Sequence, residues 1–81
     1  MRLSQVQDLL TEKEVEFSYQ EEEGCGSIDF VHRGLSYHIW EYSDGDEPIG
    51  VETNLRQAGY MEDFEGDYMS AVMDALKVVF S

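Results

Sequence analysis

Hydrophobic and polar positions follow different periods along the chain, and each change of period marks a boundary between predicted elements. Near the amino end, apolar residues recur close to helical spacing, at Leu3, Val6, Leu9 and Leu10. This spacing predicts a first helix from about residue 4 or 5 to about residue 13. Ser4 and Gln7 have the spacing of a capping box, which predicts Ser4 as the N-cap.

A period of two follows this helix. Residues 15–20 alternate apolar and polar side chains, which predicts a half-buried strand. Residues 21–26 combine negative charge with two glycines, which predicts a loop. Residues 27–42 predict a β-hairpin with a tight turn at Arg33-Gly34, although arginine is not a favoured first residue of such a turn.

The last part of the chain contains a strong turn signal, a strand and a helix. Residues 43–48 predict the turn and residues 49–54 a fourth strand. Residues 55–67 predict a connection that can form one helical turn at 55–58. Asp67 is the predicted cap of a final helix. The inward face of that helix is marked by Met69, Val72, Met73, Leu76 and Phe80.

Together these elements predict a single α+β domain spanning residues 1–81, in the order α-β-β-β-β-α. Short connections make neighbouring strands antiparallel. We therefore predict a four-stranded antiparallel sheet with both helices packed on one face. A domain of 81 residues buries only about 60% of its unfolded surface, so its core must be well patterned.

A two-residue turn fixes the register of the predicted hairpin. Pairs on the inner face are then Ile28 with Ile39, Phe30 with Tyr37, and His32 with Leu35. Pairs on the outer face are Asp29 with His38, Ser27 with Trp40, and Val31 with Ser36. The outer face is expected to collect Glu16, Ser18, Asp29, His38, Trp40, Tyr42 and Glu52. A three-residue turn would shift this register by one residue.

The chain is strongly acidic, with 18 Asp and Glu against 5 Lys and Arg and a formal net charge of −13. Such a surface repels nucleic-acid phosphates and anionic lipids, so we expect no direct nucleic-acid binding and no membrane partner. It attracts basic proteins and cations, although a purely solubilising role is the simpler interpretation. The acidic clusters at 20–23, 44–47 and 62–67 are all predicted to lie in loops.

Cys25 is the only cysteine, so no disulfide can form within the chain, which fits a reducing compartment. The first residues lack a long apolar run, so we expect no signal peptide. No apolar stretch approaches the roughly 20 residues that a membrane-spanning helix needs. We therefore expect a cytoplasmic protein.

Asp29 and His38 are the strongest candidates for chemistry, because the register places a carboxylate beside an imidazole. The two residues can form an acid–base pair, but a cross-strand pair that only stabilises the hairpin is the preferred interpretation. A Cys-His-Asp triad is not expected. Cys25 would lie roughly 13 Å from His38 at about 3.3 Å per residue, and His32 points to the other face.

Metal and cofactor motifs are missing from the sequence. The acidic segments 44–47 and 62–67 are compatible with weak cation binding, but neither has the ligand spacing of an EF-hand. Two histidines and one cysteine do not form a zinc motif. The glycine-rich phosphate-binding motifs do not occur. We expect no metal site, no cofactor and no catalytic residue.

Trp40, Tyr42 and His38 form an aromatic strip on the predicted outer face, and aromatic residues are enriched at protein interfaces. We predict a non-enzymatic protein-interaction module with the partner-binding residues His38, Trp40, Tyr42 and Asp29. Its partner is another protein or a second copy of the chain. Two alternatives stay open: a nucleic-acid mimic that inhibits a basic DNA-binding protein, and a small enzyme that uses Asp29 and His38.

Four segments carry a resemblance to a group of known proteins: "EEEGCGSIDF", "RGLSYHIWEY", "GVETNLRQAG" and "EGDY". On these segments the chain resembles a group of small acidic proteins of Gram-positive, clostridia-type bacteria whose function is not established. Some members carry the label of kinase, but this chain lacks the glycine-rich loop and the catalytic aspartate motif of a kinase. The resemblance implies a bacterial cytoplasmic setting and no mechanism.

Overall fold

The computed structural model describes residues 2–57 and 59–81. This part of the chain forms two helices and five strands. In chain order they are α1 (Ser4–Glu12), β1 (Phe17–Glu22), β2 (Cys25–His32), β3 (Leu35–Ser43), β4 (Pro48–Thr53), β5 (Glu62–Glu65) and α2 (Tyr68–Val79). The fold is α+β, as predicted.

The strands form one antiparallel sheet in the order β1-β2-β3-β4-β5, so each strand lies beside its neighbours in the chain. The antiparallel sheet is confirmed, but the prediction of four strands is wrong, because the order is α-β-β-β-β-β-α. The additional strand, β5, lies within the predicted connection and places Glu52 opposite Asp63. Glu62, Asp63 and Glu65 therefore lie on a strand and not in a loop.

Arg33 and Gly34 form the predicted turn between β2 and β3, with φ values of 54° and 79°. Positive φ at both central residues gives the tight turn whose twist matches a β-hairpin. Glycine adopts this conformation freely, whereas Arg33 is held in it by the pairing of the two strands. The predicted register is confirmed, with Asp29 opposite His38.

The start of α1 differs from the prediction. Ser4 is the first residue of α1, and Leu3 occupies the N-cap position with a φ of 55° and no side-chain cap bond. The Gln7 amide donates to the Arg2 carbonyl at 2.8 Å. The predicted capping box is therefore wrong, because Gln7 is used to fix the segment before the helix.

The other boundaries shift by small amounts or agree. β1 begins at Phe17, later than predicted, and continues through Glu22 into a region predicted as a loop. Asp67 caps α2 as predicted and accepts a bond from the Ser70 backbone N–H at 3.4 Å. Residues 55–57 form bends, and Ala58, the last residue of the helical turn considered there, lies outside the described residues.

The inner face of the sheet forms the hydrophobic core together with both helices. Ile28, Ile39 and Val51 are fully buried on that face. The helices contribute to the same cluster through Leu3, Val6, Leu10, Val72, Ala75 and Leu76. Phe30 and Tyr37 stack within it, with ring centroids 5.2 Å apart. This shared cluster indicates that both helices pack against the inner face.

Within residues 2–57 and 59–81, neither helix combines the length and the apolar character required to cross a membrane.

Candidate functional site

The outer face of the sheet points away from the core. Strand pairing brings onto it Ser18, Asp29, His38, Trp40, Tyr42, Glu52, Asp63 and Glu65. Trp40 is 37% exposed, whereas Phe30 on the inner face is 4% exposed. The odd-numbered residues of β3 were predicted to be buried. This prediction holds for Tyr37 and Ile39 but not for Leu35, which lies at the end of the strand and is 46% exposed.

Asp29 joins His38 and Trp40 into one group, here called the Asp29 cluster. Its Oδ1 atom lies 2.5 Å from His38 Nδ1 and accepts a hydrogen bond from Trp40 Nε1 at 3.0 Å. The two rings have centroids 4.8 Å apart and planes inclined by 44°. Asp29 and His38 are therefore paired, which the sequence could not establish.

The Asp29 cluster fixes orientation more than it adds stability. Because Nδ1 of His38 faces a carboxylate, the ring proton lies on Nδ1 in the neutral form and Nε2 is left to accept a bond. The side chains of His38 and Asp29 are 33% and 46% exposed, so water competes for the same atoms. A pair this exposed stabilises the fold by about 1 kcal/mol or less, while it restricts the rotamers of both rings.

The end of β4 holds the backbone of β3 that carries His38. Asn54 Oδ1 accepts a bond from the His38 backbone N–H at 2.9 Å, and Asn54 Nδ2 donates to the Ser36 carbonyl at 2.9 Å. Thr53 Oγ1 donates to the His38 carbonyl at 2.5 Å. The Asn54 side chain thus replaces strand pairing where β4 has ended. Sequence reasoning missed this role, since the pattern predicted only that residue 54 ends a strand.

Tyr42 lies on the outer face and forms a separate pair with Glu65. The Tyr42 hydroxyl donates to Glu65 at 2.9 Å, across β4. Gly50 lies between them on β4, and a Cβ atom there would come within 2.8 Å of the hydroxyl oxygen. Burial and the Glu65 carboxylate raise the pKa of Tyr42 to about 12, and the charges of Asp63 and Glu52 add to this rise. The predicted aromatic strip therefore consists of two separately bonded groups.

A groove of about 700 Å³ opens beside the Asp29 cluster. Asp29 and His38 line it, together with Ser18, Ser36 and Arg33 from the neighbouring strands and the β2–β3 turn. A groove of this size can hold a small molecule or a segment of a peptide.

Cys25 and His32 lie apart from the Asp29 cluster. Cys25 begins β2, opposite Glu22, and is separated from Asp29 by roughly 13 Å along the strand at about 3.3 Å per residue. The His32 ring packs against Phe80 with centroids 4.6 Å apart. Over the described part of the chain, no three or more His, Cys, Asp or Glu side chains are grouped so that they could hold a metal ion.

A second polar group, here called the Glu41 cluster, is buried at the inner face. Glu41 accepts bonds from Arg2 Nε at 2.6 Å and from Arg2 Nη2 at 2.9 Å. It also accepts bonds from the Gly26 backbone N–H at 2.9 Å and the Tyr68 hydroxyl at 2.5 Å. The Glu41 side chain is 1% exposed. The cluster ties the segment before α1 to β2, β3 and the start of α2.

The donors around Glu41 keep it charged in spite of its burial. Burial alone would raise the pKa of Glu41, but the bonds from Arg2, Tyr68 and Gly26 bring that pKa below its usual value. Burial and the Glu41 carboxylate raise the pKa of Tyr68. Sequence reasoning missed this cluster, although the odd position of Glu41 in β3 placed it on the inner face.

Comparisons of the chain with protein-family models, with curated proteins and with solved structures gave no match. The resemblance to the clostridia-type group stays a prediction.

Proposed function

We propose that the protein is a non-enzymatic module that binds another protein through the outer face of its sheet. The observation that carries this proposal is the Asp29 cluster, in which one carboxylate orients a tryptophan that is still 37% exposed. Tryptophan is among the residues that contribute most to binding energy at protein interfaces. A ring already held in one orientation loses less conformational freedom on binding, which favours affinity.

Charge favours a different protein over a second copy of this chain as the partner. The chain has a net charge of −13. Two outer faces in contact would bring together the carboxylates of both copies at Asp29, Glu52, Asp63 and Glu65. Like charges opposed across an interface cost several kcal/mol, so a dimer through this face is the less favoured arrangement.

The first test compares the proteins captured by the immobilised wild-type chain and by two variants, from an extract of a clostridia-type bacterium. Trp40→Ala removes the ring of the Asp29 cluster. Tyr60→Ala is the matched control, because Tyr60 is 71% exposed and lies outside the strands. We expect a protein that binds the wild type and Tyr60→Ala but not Trp40→Ala, and that forms a defined complex once purified. Identical capture by all three chains contradicts the proposal.

Light scattering on the wild type and on Trp40→Ala, across a series of salt concentrations, tests the second copy as the partner. We expect both chains to be monomers, because their charge opposes self-association. A wild-type dimer that is lost in Trp40→Ala would instead identify the outer face as a surface for self-association.

The groove favours a second candidate function, general acid–base catalysis by Asp29 and His38. A carboxylate that orients an imidazole and leaves its second nitrogen for a substrate is a common arrangement in enzymes. The groove of about 700 Å³ provides room beside this pair. The binding proposal is preferred because the two side chains are also explained as the support of the exposed Trp40 ring.

Hydrolysis of chromogenic esters and phosphodiesters by the wild type, His38→Gln and Asp29→Asn tests this candidate. Asp44→Asn is the matched control for Asp29→Asn, because Asp44 lies in the turn between β3 and β4 and does not line the groove. If the pair is catalytic, we expect the rate of hydrolysis to be unchanged in Asp44→Asn and to fall by about 100-fold or more in His38→Gln. Equal rates for all four chains would exclude Asp29 and His38 as catalysts of these reactions.

A further inference from the structure

A row of side chains crosses the outer face from the Asp29 cluster to the sheet edge. Glu52 lies opposite Trp40 on β4, and Asp63 lies opposite Glu52 on β5. Neighbouring strands are about 4.8 Å apart, so the row extends about 10 Å from the backbone of Trp40 to that of Asp63, with Glu52 between them. Among the described residues, neither carboxylate takes part in an ion pair.

Two further carboxylates lie beside this row, Asp29 at its β2 end and Glu65 next to Tyr42. The Asp29 carboxylate lies 3.0 Å from the indole nitrogen of Trp40. Next to the row, burial and Glu65 raise the pKa of Tyr42 to about 12, and the charges of Asp63 and Glu52 contribute to that rise. The carboxylates of the row therefore act on their neighbours, and a cation bound between them would offset their mutual repulsion.

We propose that the Trp40 ring and the carboxylates of Glu52 and Asp63 together bind an arginine side chain from a basic segment of the partner protein. This inference rests on the protein-binding function proposed above. A guanidinium stacks on an indole face while its N–H groups donate to carboxylates, and arginine makes both interactions at once. The ammonium group of lysine has no planar surface for stacking and no bidentate geometry, so the site favours arginine.

The charge of the whole chain limits the class of partner further. A basic DNA-binding protein has the required chemistry, because its phosphate-binding surface is rich in arginine and lysine. A second copy of this chain is a poor source of the arginine. Arg2 is bonded to Glu41 and Arg56 to Glu62. The remaining arginine, Arg33, lies in the β2–β3 turn of a chain whose net charge is −13.

Trp40 is the only tryptophan, so its fluorescence reports on the proposed site directly. The probe is an arginine–glycine repeat peptide with blocked ends. The matching lysine–glycine peptide and spermine are the comparisons. At an ionic strength of about 0.15 M, where charges more than about 8 Å apart are largely screened, we expect a saturable change in Trp40 fluorescence. The arginine peptide should bind at least about threefold more tightly than the lysine peptide.

Two double variants that remove the same amount of charge distinguish binding by the carboxylates of the row from attraction by the general negative charge of the protein. Glu52→Gln/Asp63→Asn neutralises the row. Asp44→Asn/Asp46→Asn neutralises the same number of carboxylates in the turn between β3 and β4. Asp44 is about 13 Å from Trp40 along the chain direction of β3, beyond the screening length. We expect the row variant to weaken binding of the arginine peptide about tenfold and the turn variant less than about twofold.

Equal weakening by the two double variants overturns the inference, and so does equal affinity for arginine, lysine and spermine. An unchanged Trp40 fluorescence on addition of the peptide overturns it as well. The protein-binding function is judged separately. A captured protein that Trp40→Ala loses but the row variant retains supports that function and overturns only the arginine site. Capture that does not depend on Trp40 overturns both.

Discussion

At the scale of single residues, Glu41 and Trp40 show opposite ways of using a side chain in β3. Glu41 is a charged residue with a 1% exposed side chain that receives bonds from Arg2, Gly26 and Tyr68. Trp40, its neighbour in sequence, is a large apolar residue that stays 37% exposed. The alternation of a strand explains both positions, because adjacent residues point to opposite faces.

Replacing Glu41 should destabilise the fold strongly. Glu41→Gln removes the negative charge that compensates Arg2 and leaves donors without a full partner. We expect the free energy of unfolding in urea to fall by about 2 to 3 kcal/mol, because Arg2 is partly exposed and recovers some hydration. Glu21→Gln is the control, since the exposed Glu21 also accepts a tyrosine bond, from Tyr19 at 2.6 Å. Similar losses in both variants would contradict a special role for Glu41.

Trp40 and Phe30 should respond differently to the same truncation. Phe30 is 4% exposed and stacks in the core, so Phe30→Ala should lower the free energy of unfolding by about 3 to 5 kcal/mol. Trp40→Ala should lower it by less than half as much, because the ring contacts water and an exposed carboxylate. Urea unfolding followed by far-UV circular dichroism measures both. A larger loss for Trp40→Ala would mean that Trp40 is part of the core.

The sequence predicted where these residues point but not what they bind. The alternation of side chains along the hairpin strands placed Asp29, His38 and Trp40 on one face. This placement depends only on the length of the turn and on the two-residue period of a strand. The bond from Trp40 to Asp29 depends on rotamers, which a sequence pattern does not contain. Like Ile39, Glu41 has an odd position in β3 and so points to the inner face. The burial of its charge, however, depends on hydrogen-bond donors from distant elements, here Arg2 and Tyr68.

At the scale of elements, the edge of the sheet was the hardest part to predict. β5 contains Glu62, Asp63, Phe64 and Glu65, so Phe64 is its only apolar residue. A pattern of this kind resembles an acidic loop, and β-structure there depends on pairing with β4. The strand that the sequence did not predict, β5, affects the site as well as the fold, because it carries Asp63 and Glu65 on the outer face.

Asn54 connects the end of β4 to the site and should be needed to hold β3 in place. Asn54→Ala removes bonds to the His38 N–H and to the Ser36 carbonyl. We expect the His38 amide to exchange with solvent faster, and the free energy of unfolding to fall by about 1 to 3 kcal/mol. Hydrogen exchange followed by NMR measures the first effect.

Asn54→Asp is the comparison variant, because it keeps an acceptor for the His38 N–H, although it also replaces the donor to the Ser36 carbonyl by an oxygen and adds a negative charge at a buried position. We expect it to retain most of the protection of the His38 amide. If both variants leave that amide as protected as in the wild type, the Asn54 side chain does not hold β3.

At the scale of the whole molecule, two effects of pH oppose each other. Protonation of the many exposed carboxylates reduces a net charge of −13, and this relieves self-repulsion and stabilises the fold. Protonation of Glu41 acts in the opposite direction, because it weakens the bonds that keep this buried group charged. The stability of the wild type alone therefore cannot show the contribution of Glu41.

The difference in stability between the wild type and Glu41→Gln isolates that contribution. The folded pKa of Glu41 is lowered, so its stabilising effect is fully present above the unfolded pKa of about 4.3 and is lost as pH falls through the folded value. We expect the difference in urea midpoint to be constant near neutral pH and to shrink below about pH 4. A difference that stays constant down to about pH 2 would contradict the lowered pKa.

Stability at alkaline pH tests the Glu41 cluster through Tyr68, whose hydroxyl donates to Glu41. The folded pKa of Tyr68 is raised by burial and by Glu41, so its contribution is present below the unfolded pKa of about 10 and is lost as pH rises above that value. Tyr68→Phe cannot ionise, so its stability should fall less than that of the wild type above about pH 10. Tyr60→Phe, at a residue that is 71% exposed, serves as the control and should follow the wild type. An equal loss of stability in all three chains would mean that the Glu41 cluster does not govern unfolding at high pH.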